Sequence, residues 1–309
     1  MATPHPIPPS AERPRERAFA VALLAAARPE QWTKNLVVFA PVVFALRATD
    51  PSSATRAALT AVAFCAVSSA SYLANDVADR ERDRHHPAKR WRPIASGEIS
   101  PRAALAVSAS LGAAGLALAG SLGVTVLACT GAYVAVQALY SARLKQVPLL
   151  DVFAIASGFI LRVIAGAEAI AVPVSHWLYL CTLLLALFLA LEKRRAELVL
   201  LDTGAGAHRD ALGLYSVALV DQLATIVCAC TVLAYALYTV APETIEKFHG
   251  DRLKYTVPFV LFGIFRYLLL VHRHGQGGQP ERVLLRDRTL QLDIAGWVLV
   301  VAWALYARH

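Results

Sequence analysis

The sequence predicts an all-α membrane protein, a polytopic bundle of nine transmembrane helices, on three observations. Hydrophobic residues make up 57% of the 309 positions and charged residues only 17%, with a mean hydropathy of +0.51. The apolar residues fall in blocks of about 20, the length that crosses a hydrocarbon core. The charges collect in the short stretches between those blocks. A chain this apolar is read as one integral domain, not two soluble ones. The net charge of +8 would suit nucleic acid, but no basic patch is interleaved with aromatic residues. The charge reports topology and anionic headgroups instead, and no nucleic-acid partner is expected.

In chain order, residues 1–17 are rich in Pro, Arg and Glu and read as a disordered tail, with residues 18–309 as the membrane domain. The apolar run 19–27 behind arginines has the length of a signal-peptide core. It leads through Trp32 directly into the next apolar run, which favours an interfacial helix. Nine spans follow, at about 34–48, 54–76, 101–120, 122–142, 149–170, 174–192, 215–240, 253–272 and 289–307. Gly120 to Gly123 makes a tight hairpin, and Pro148 and Pro173 mark other turns. With the N-terminus inside, most of the 30 Lys and Arg fall on the cytoplasmic side of a plasma (bacterial inner) membrane. The five cysteines lie in apolar runs without metal-type spacing and read as packing residues.

The second span ends in Asn75-Asp76-Val77-Ala78-Asp79-Arg80-Glu81-Arg82-Asp83. On a continuing helix Asn75, Asp79 and Asp83 share one stripe, with Asp76 close by. Carboxylates crowded at the negative end of a helix repel one another unless a cation sits among them. Hard oxygen donors point to Mg²⁺, and the following Lys89, Arg90 and Arg92 would grip phosphates. The competing reading is a solvated, charge-laced loop, which regular carboxylate spacing at the mouth of a membrane helix disfavours. His85 and His86 find no third ligand at suitable spacing and read as loop residues.

Other charges stand at span ends. Lys193, Arg194 and Glu197 follow span six, as ligand contacts or as positive-inside anchors. Tyr140 and Lys145 close span four and Asp151 opens span five, as a second phosphate contact or a snorkelling anchor. Arg162 lies about 16 Å along its helix from Asp151, a depth at which a charge faces a polar cavity or an acidic partner. The run 285–291 opens the last span and reads as an anchor that could also close the site. No Ser-His-Asp order, phosphate-binding glycine loop or dinucleotide pattern is evident. Carboxylates followed by cations at a membrane mouth suit a Mg²⁺-bound diphosphate beside a lipid-accessible space. A transporter would show broken helices and midplane coupling acids instead.

The pattern Asn75-Asp76-x-x-Asp79-x-x-x-Asp83 after the second of nine spans resembles the UbiA-type intramembrane prenyltransferase superfamily. Arg28-Pro29-x-Gln31-Trp32-x-Lys34-Asn35, the run from Asp83 to Gly97, Leu161-Arg162-x-Ile164-Ala165-Gly166, Lys193-Arg194-x-Ala196-Glu197-Leu198 and Leu285-Arg286-Asp287-Arg288-x-Leu290-Gln291 are similar to its decaprenyl-phosphate phosphoribosyltransferase branch. That resemblance implies Mg²⁺-dependent transfer of 5-phosphoribosyl from phosphoribosyl pyrophosphate (PRPP) to a polyprenyl phosphate for cell-wall arabinose-donor synthesis. The alternative is prenyl transfer from a prenyl diphosphate to an aromatic or other acceptor. It implies Asn75, Asp76, Asp79 and Asp83 as metal ligands and Asp79, Asp83 and Lys193 as catalytic. Lys34, Lys89, Arg90, Arg92, Tyr140, Lys145, Arg162, Arg194 and Glu197 would contact substrates, and a homo-oligomer is compatible with it. One departure matters: span six carries Lys193-Arg194-Arg195-Ala196-Glu197 where the superfamily has a second Asp-rich motif. Losing acids and gaining cations there suits a phosphate-bearing substrate and puts a two-metal-motif mechanism in doubt.

Overall fold

Prolines and small polar caps set where the helices begin. A computed structural model describes residues 18–86, 89–202, 214–274 and 280–307. The expected tail 1–17 lies outside the described residues, as do Pro87 and Ala88 of the basic run. Helix α1 (Phe19–Ala27) is followed by a 3₁₀ helix (Pro29–Phe39), α2 (Ala40–Phe44) and α3 (Pro51–Ala78). Short α4 (Arg80–His85) and α5 (Pro93–Ser96) precede α6 (Pro101–Leu122), α7 (Val124–Ala142), α8 (Leu150–Ala169) and α9 (His176–Asp202). Then come α10 (Val217–Val240), α11 (Pro242–Phe248), α12 (Val257–His274), α13 (Pro280–Arg286) and α14 (Arg288–Tyr306). Asp50, Ser100, Ser216 and Asp287 each accept a backbone N–H from the first turn of α3, α6, α10 and α14. Those caps satisfy donors that a helix start leaves open.

Among the described residues eight helices are long and apolar enough to cross a membrane, and none is a strand. They are α3, α6, α7, α8, α9, α10, α12 and α14, and their bounds follow the expected spans to within a few residues except at the end of α9, which runs ten residues past 192. The expected first span, 34–48, is the exception. It forms the 3₁₀ helix and the five-residue α2, and the chain turns at Leu46, where φ is +58°. Pro41 lies inside this run and cannot donate to a helical ladder. The segment also carries Gln31, Lys34 and Asn35, whose side chains bond inward to Glu281 and Cys65. At about 2.0 Å per residue its eleven 3₁₀ residues rise further than the same number in an α-helix.

The spanning helices pack in sequence, α3 on α6, then α6 on α7, α7 on α8, α8 on α9 and α9 on α10, with α12 joining α10 to α14. The 3₁₀ helix runs against α3, α8 and α13. Lipid gives helices no hydrophobic reason to associate, so close packing and interhelical polar bonds must hold them. On α6 the stripe Ser108, Gly112, Gly115 and Ala119 supplies this. The Ser108 hydroxyl donates to the Ala70 carbonyl at 2.8 Å, and a Cβ on Gly115 would meet Val67 at 2.8 Å. Gly123 is the joint of the α6–α7 hairpin, at φ +145°. At that same end Arg56 donates to the Leu122 carbonyl at 2.6 Å and to the Ala169 carbonyl, closing two helix C-termini. The five cysteines are free, as packing residues would be.

The tightest approach is between the 3₁₀ helix and α8. A Cβ on Gly166 would collide with the backbone of Val38, and a backbone cannot rotate away as a side chain can. Gly166→Ala is expected to lower the melting temperature of the detergent-solubilised protein, at an overpacking cost of about 1–3 kcal/mol. Gly131→Ala on α7, where nothing lies within 4 Å, is the control and should leave the melting temperature unchanged or raise it.

Candidate active site

Helix α3 loses its regular geometry at Asp79, which has φ −91° and ψ 4° and joins α3 to α4. The i→i−4 bonds from Asp79 to Asn75 and from Asp83 to Asp79 survive, but the stripe bends. The expected row of Asn75, Asp79 and Asp83 therefore becomes a buried pair, Asp76 and Asp83, with Asp79 beside it. Asp76 and Asp83 are 4% and 3% exposed. Both accept from one nitrogen of Arg92, Nη1, at 3.0 and 2.7 Å. Asp76 also accepts from Arg28 Nη2 at 2.5 Å. Asp79 lies 3.4 Å from Arg82 and keeps part of its side chain in the open.

The geometry of the basic run divides its residues. Arg92 is brought into the acid pair. Arg90 is exposed and lies over the Trp91 ring at 4.7 Å, and the Lys89 backbone N–H donates to His86 Nδ1 at 3.2 Å. Burial first, then Lys89 and Arg92, hold the His86 imidazole below its usual range against the pull of Asp83. Lys145 lies on a one-turn 3₁₀ helix after α7, apart from the acid pair.

On α9 the helix continues through the charged cluster that the sequence places after span six. Arg194, 1% exposed, is held on every side. Its Nε lies 2.7 Å from Asp151, Nη2 donates to the Tyr140 hydroxyl at 2.7 Å, and Nη1 pairs with Glu197. Asp151 in turn accepts from the Tyr215 hydroxyl at 2.9 Å. Arg194, Tyr140 and Glu197 thus form one buried network joining α7, α8 and α9, and its bonds are internal. Lys193, the next residue on the helix, turns the other way and lies within electrostatic reach of Lys34 and Glu281.

Glu281 gave no signal in the sequence beyond being an acid in a short loop. It is 6% exposed, accepts from Gln31 Nε2, and lies 3.6 Å from Lys34 Nζ. Burial pushes its carboxyl up, but Lys34, Gln31 and Lys193 outweigh burial and leave it below the usual carboxylate range. The neighbouring Arg282 pairs with Glu30 at 2.8 Å, so α13 is fastened along the 3₁₀ helix. Arg28 bonds Asp76 and stacks over the Tyr72 ring at 5.0 Å, both on α3.

Among the described residues Arg162 has no acidic partner, one of the two surroundings that its depth suggests. It is 4% exposed and donates to Asn35 Oδ1 at 2.6 Å and the Gly158 carbonyl at 2.8 Å. The rings of Tyr133, Phe64 and Phe159 surround it at 4.4, 5.3 and 5.8 Å. Aromatic faces attract a cation by about 0.5–2 kcal/mol each, which replaces a carboxylate here. Through Asn35, Arg162 fixes the 3₁₀ helix one residue from Lys34.

Asp76 and Asp83 already converge on a shared cation, and their hard oxygens fit Mg²⁺. Among the described residues no three His, Cys, Asp or Glu side chains cluster closely enough to hold an ion alone. Mg²⁺ here would draw further ligands from diphosphate oxygens and water, its usual habit. A groove of about 280 Å³ lies alongside, lined by Pro29, Trp32, Leu36, Ala61 and Cys65. A second cavity, of about 220 Å³, is lined by Phe44, Trp177, Tyr235 and Tyr238, at the end of the bundle away from these charges.

The profile of the UbiA prenyltransferase family matches residues 36–197. The chain is 32% identical to a decaprenyl-phosphate phosphoribosyltransferase of Mycolicibacterium smegmatis over 92% of both chains. It is 33% identical to one of Corynebacterium glutamicum, over 92% of this chain and 86% of that one. Its fold matches a UbiA homolog from Archaeoglobus fulgidus bound to GPP and Mg²⁺, with a TM-score of 0.68, 22% identity and 92% and 96% of the two chains covered. The chain is a membrane-embedded transferase that belongs to the UbiA prenyltransferase family.

Proposed function

We propose that the protein transfers the 5-phosphoribosyl group of PRPP to a polyprenyl phosphate, of the decaprenyl class, and releases diphosphate. The observation that carries this reading is the pairing of one acid centre with one basic centre. Helix α9 offers Lys193 beside Lys34, where a second acid set would suit a second metal. The two relatives named for this reaction, aligned over 92% of the chain, support it further.

In this reading Asp76, Asp79 and Asp83, with Asn75, hold Mg²⁺, which neutralises charge on the departing diphosphate. Arg92 turns from the carboxylates toward phosphate oxygens when the donor enters, joined by Lys89 and Arg90. Lys34 and Lys193 hold the 5-phosphate or the lipid phosphate. Arg194, Glu197 and Tyr140 fix the helix that presents Lys193, and Arg162 fixes the segment that presents Lys34. A lipid phosphate oxygen forms the new bond to the ribose anomeric carbon. The bond from that carbon to diphosphate breaks, and its electron pair leaves with the diphosphate. A phosphate monoester is largely ionised at neutral pH, so no strong general base is needed. The tail starts in the lateral groove by Trp32 and Leu36, and the charged end faces the cytoplasm, where a soluble sugar phosphate is available. The product would feed synthesis of an arabinose donor for the cell wall.

The test is to incubate the purified protein with labelled PRPP, Mg²⁺ and decaprenyl phosphate and to count the lipid phase. Mg²⁺-dependent label is expected in lipid, and turnover of a prenyl diphosphate with an aromatic acceptor in its place would overturn the assignment. Asp79→Ala and Asp83→Ala should each cost at least about 100-fold in rate, the scale of losing one preorganised charge stabiliser, while the protein stays folded. Lys193→Ala should show a similar loss of rate. Arg194→Met should act chiefly on stability, because it strands Asp151 without its partner, at about 3–5 kcal/mol. A folded, inactive Arg194→Met protein would count against the supporting role given to that arginine.

A further inference from the structure

Three buried oxygens near the basic centre have no hydrogen-bond partner among the described residues. They are Glu281 Oε2, the Tyr267 hydroxyl and Glu192 Oε2. Glu281 uses its other oxygen for Gln31, and Lys34 Nζ stands 3.6 Å from Oε2, beyond hydrogen-bond length. Tyr267 on α12 is 6% exposed, its ring packed edge-on to Phe188 at 5.9 Å. Its hydroxyl lies within electrostatic reach of both Glu281 and Glu192. Buried polar atoms are normally satisfied, and exceptions call for an explanation.

The chemistry of the orphaned atoms limits what can satisfy them. An ionised carboxylate only accepts hydrogen bonds, so the arriving group must donate. Ionised phosphate oxygens cannot donate and would be repelled by Glu281, whereas Lys34 and Lys193 suit them. A ligand serving both sets carries hydroxyls next to a phosphate, and carboxylates are established partners of ribose hydroxyls in other folds.

We propose that Glu281, with Tyr267 beside it, binds the ring hydroxyls of the pentose donor and makes the site selective for ribosyl over deoxyribosyl groups. The proposal rests on the phosphoribosyl reading above and assigns that donor its sugar subsite. Glu192 extends the polar wall behind Tyr267.

The experiment measures kcat/KM for transfer to decaprenyl phosphate from PRPP and from its 2-deoxy and 3-deoxy analogues. It compares the wild-type protein with Glu281→Gln and Tyr267→Phe. A site built to bond a hydroxyl rejects the analogue lacking it by orders of magnitude. The wild-type protein should therefore prefer PRPP over at least one analogue by on the order of 100-fold. Each variant should narrow that preference several-fold by losing rate on PRPP and little on the analogue. Equal losses on all three donors would reduce Glu281 to a counter-ion for the lysines and overturn the proposal, as would wild-type indifference to both hydroxyls. Should Glu281→Gln fail to fold, Tyr267→Phe, which removes one hydroxyl from a packed ring, decides alone. No transfer from PRPP by wild-type protein would instead sink the phosphoribosyl reading, a result distinct from transfer without sugar discrimination.

Discussion

A charge taken out of water must be met by an opposite charge or a shell of dipoles, and the charged end of this bundle is built around that requirement. Asp76 and Asp83 are almost fully buried and share one Arg92 nitrogen, with Arg28 a second partner for Asp76. Arg194 and Asp151, each 1% exposed, answer one another in the same way. Glu281 answers Lys34. Arg162 is the one buried arginine described here that is met by rings and an amide in place of a carboxylate. Because removing either partner strands the other, these pairs also fix which helices can be neighbours.

The acid and basic centres differ in what they leave open. The Arg194 network ties residues of α7, α8 and α9 together through ion pairs and the Tyr140 hydroxyl, and it behaves as framework. The Arg92 and Glu281 contacts are different, since Arg92 is only partly buried and Glu281 keeps one oxygen without a hydrogen-bond partner among the described residues. Helix α13 and the 3₁₀ helix, neither a regular spanning helix, are fastened to each other by Gln31–Glu281 and Glu30–Arg282.

The same constraint accounts for where a regular helix was given up. Lys34 and Asn35 lie three and four residues after Gln31, on one face of a helix, and a regular span here would carry that polar face into the bilayer. The 3₁₀ winding and the α2 break turn all three inward, and Gly166 provides the clearance for Val38 to sit against α8. Eight spanning helices among the described residues, where nine were expected, is the outcome.

Amino-acid order alone determined the class of the protein, the bounds of seven spans and the start of an eighth, and the Asp-rich and basic runs at their ends. Hydrophobic block length and local charge spacing are properties of neighbours along the chain. It also marked Arg28, Gln31 and Asn35 as part of a motif without saying what they touch. Only the tertiary structure decided that Asp76 pairs with Asp83 through Arg92, and that Arg194 is framework while Lys193 faces Lys34. It alone brought Glu281 to Gln31, 250 positions away. Adjacent residues on one helix look alike in sequence, and which of them faces a partner depends on helices that pack from distant parts of the chain.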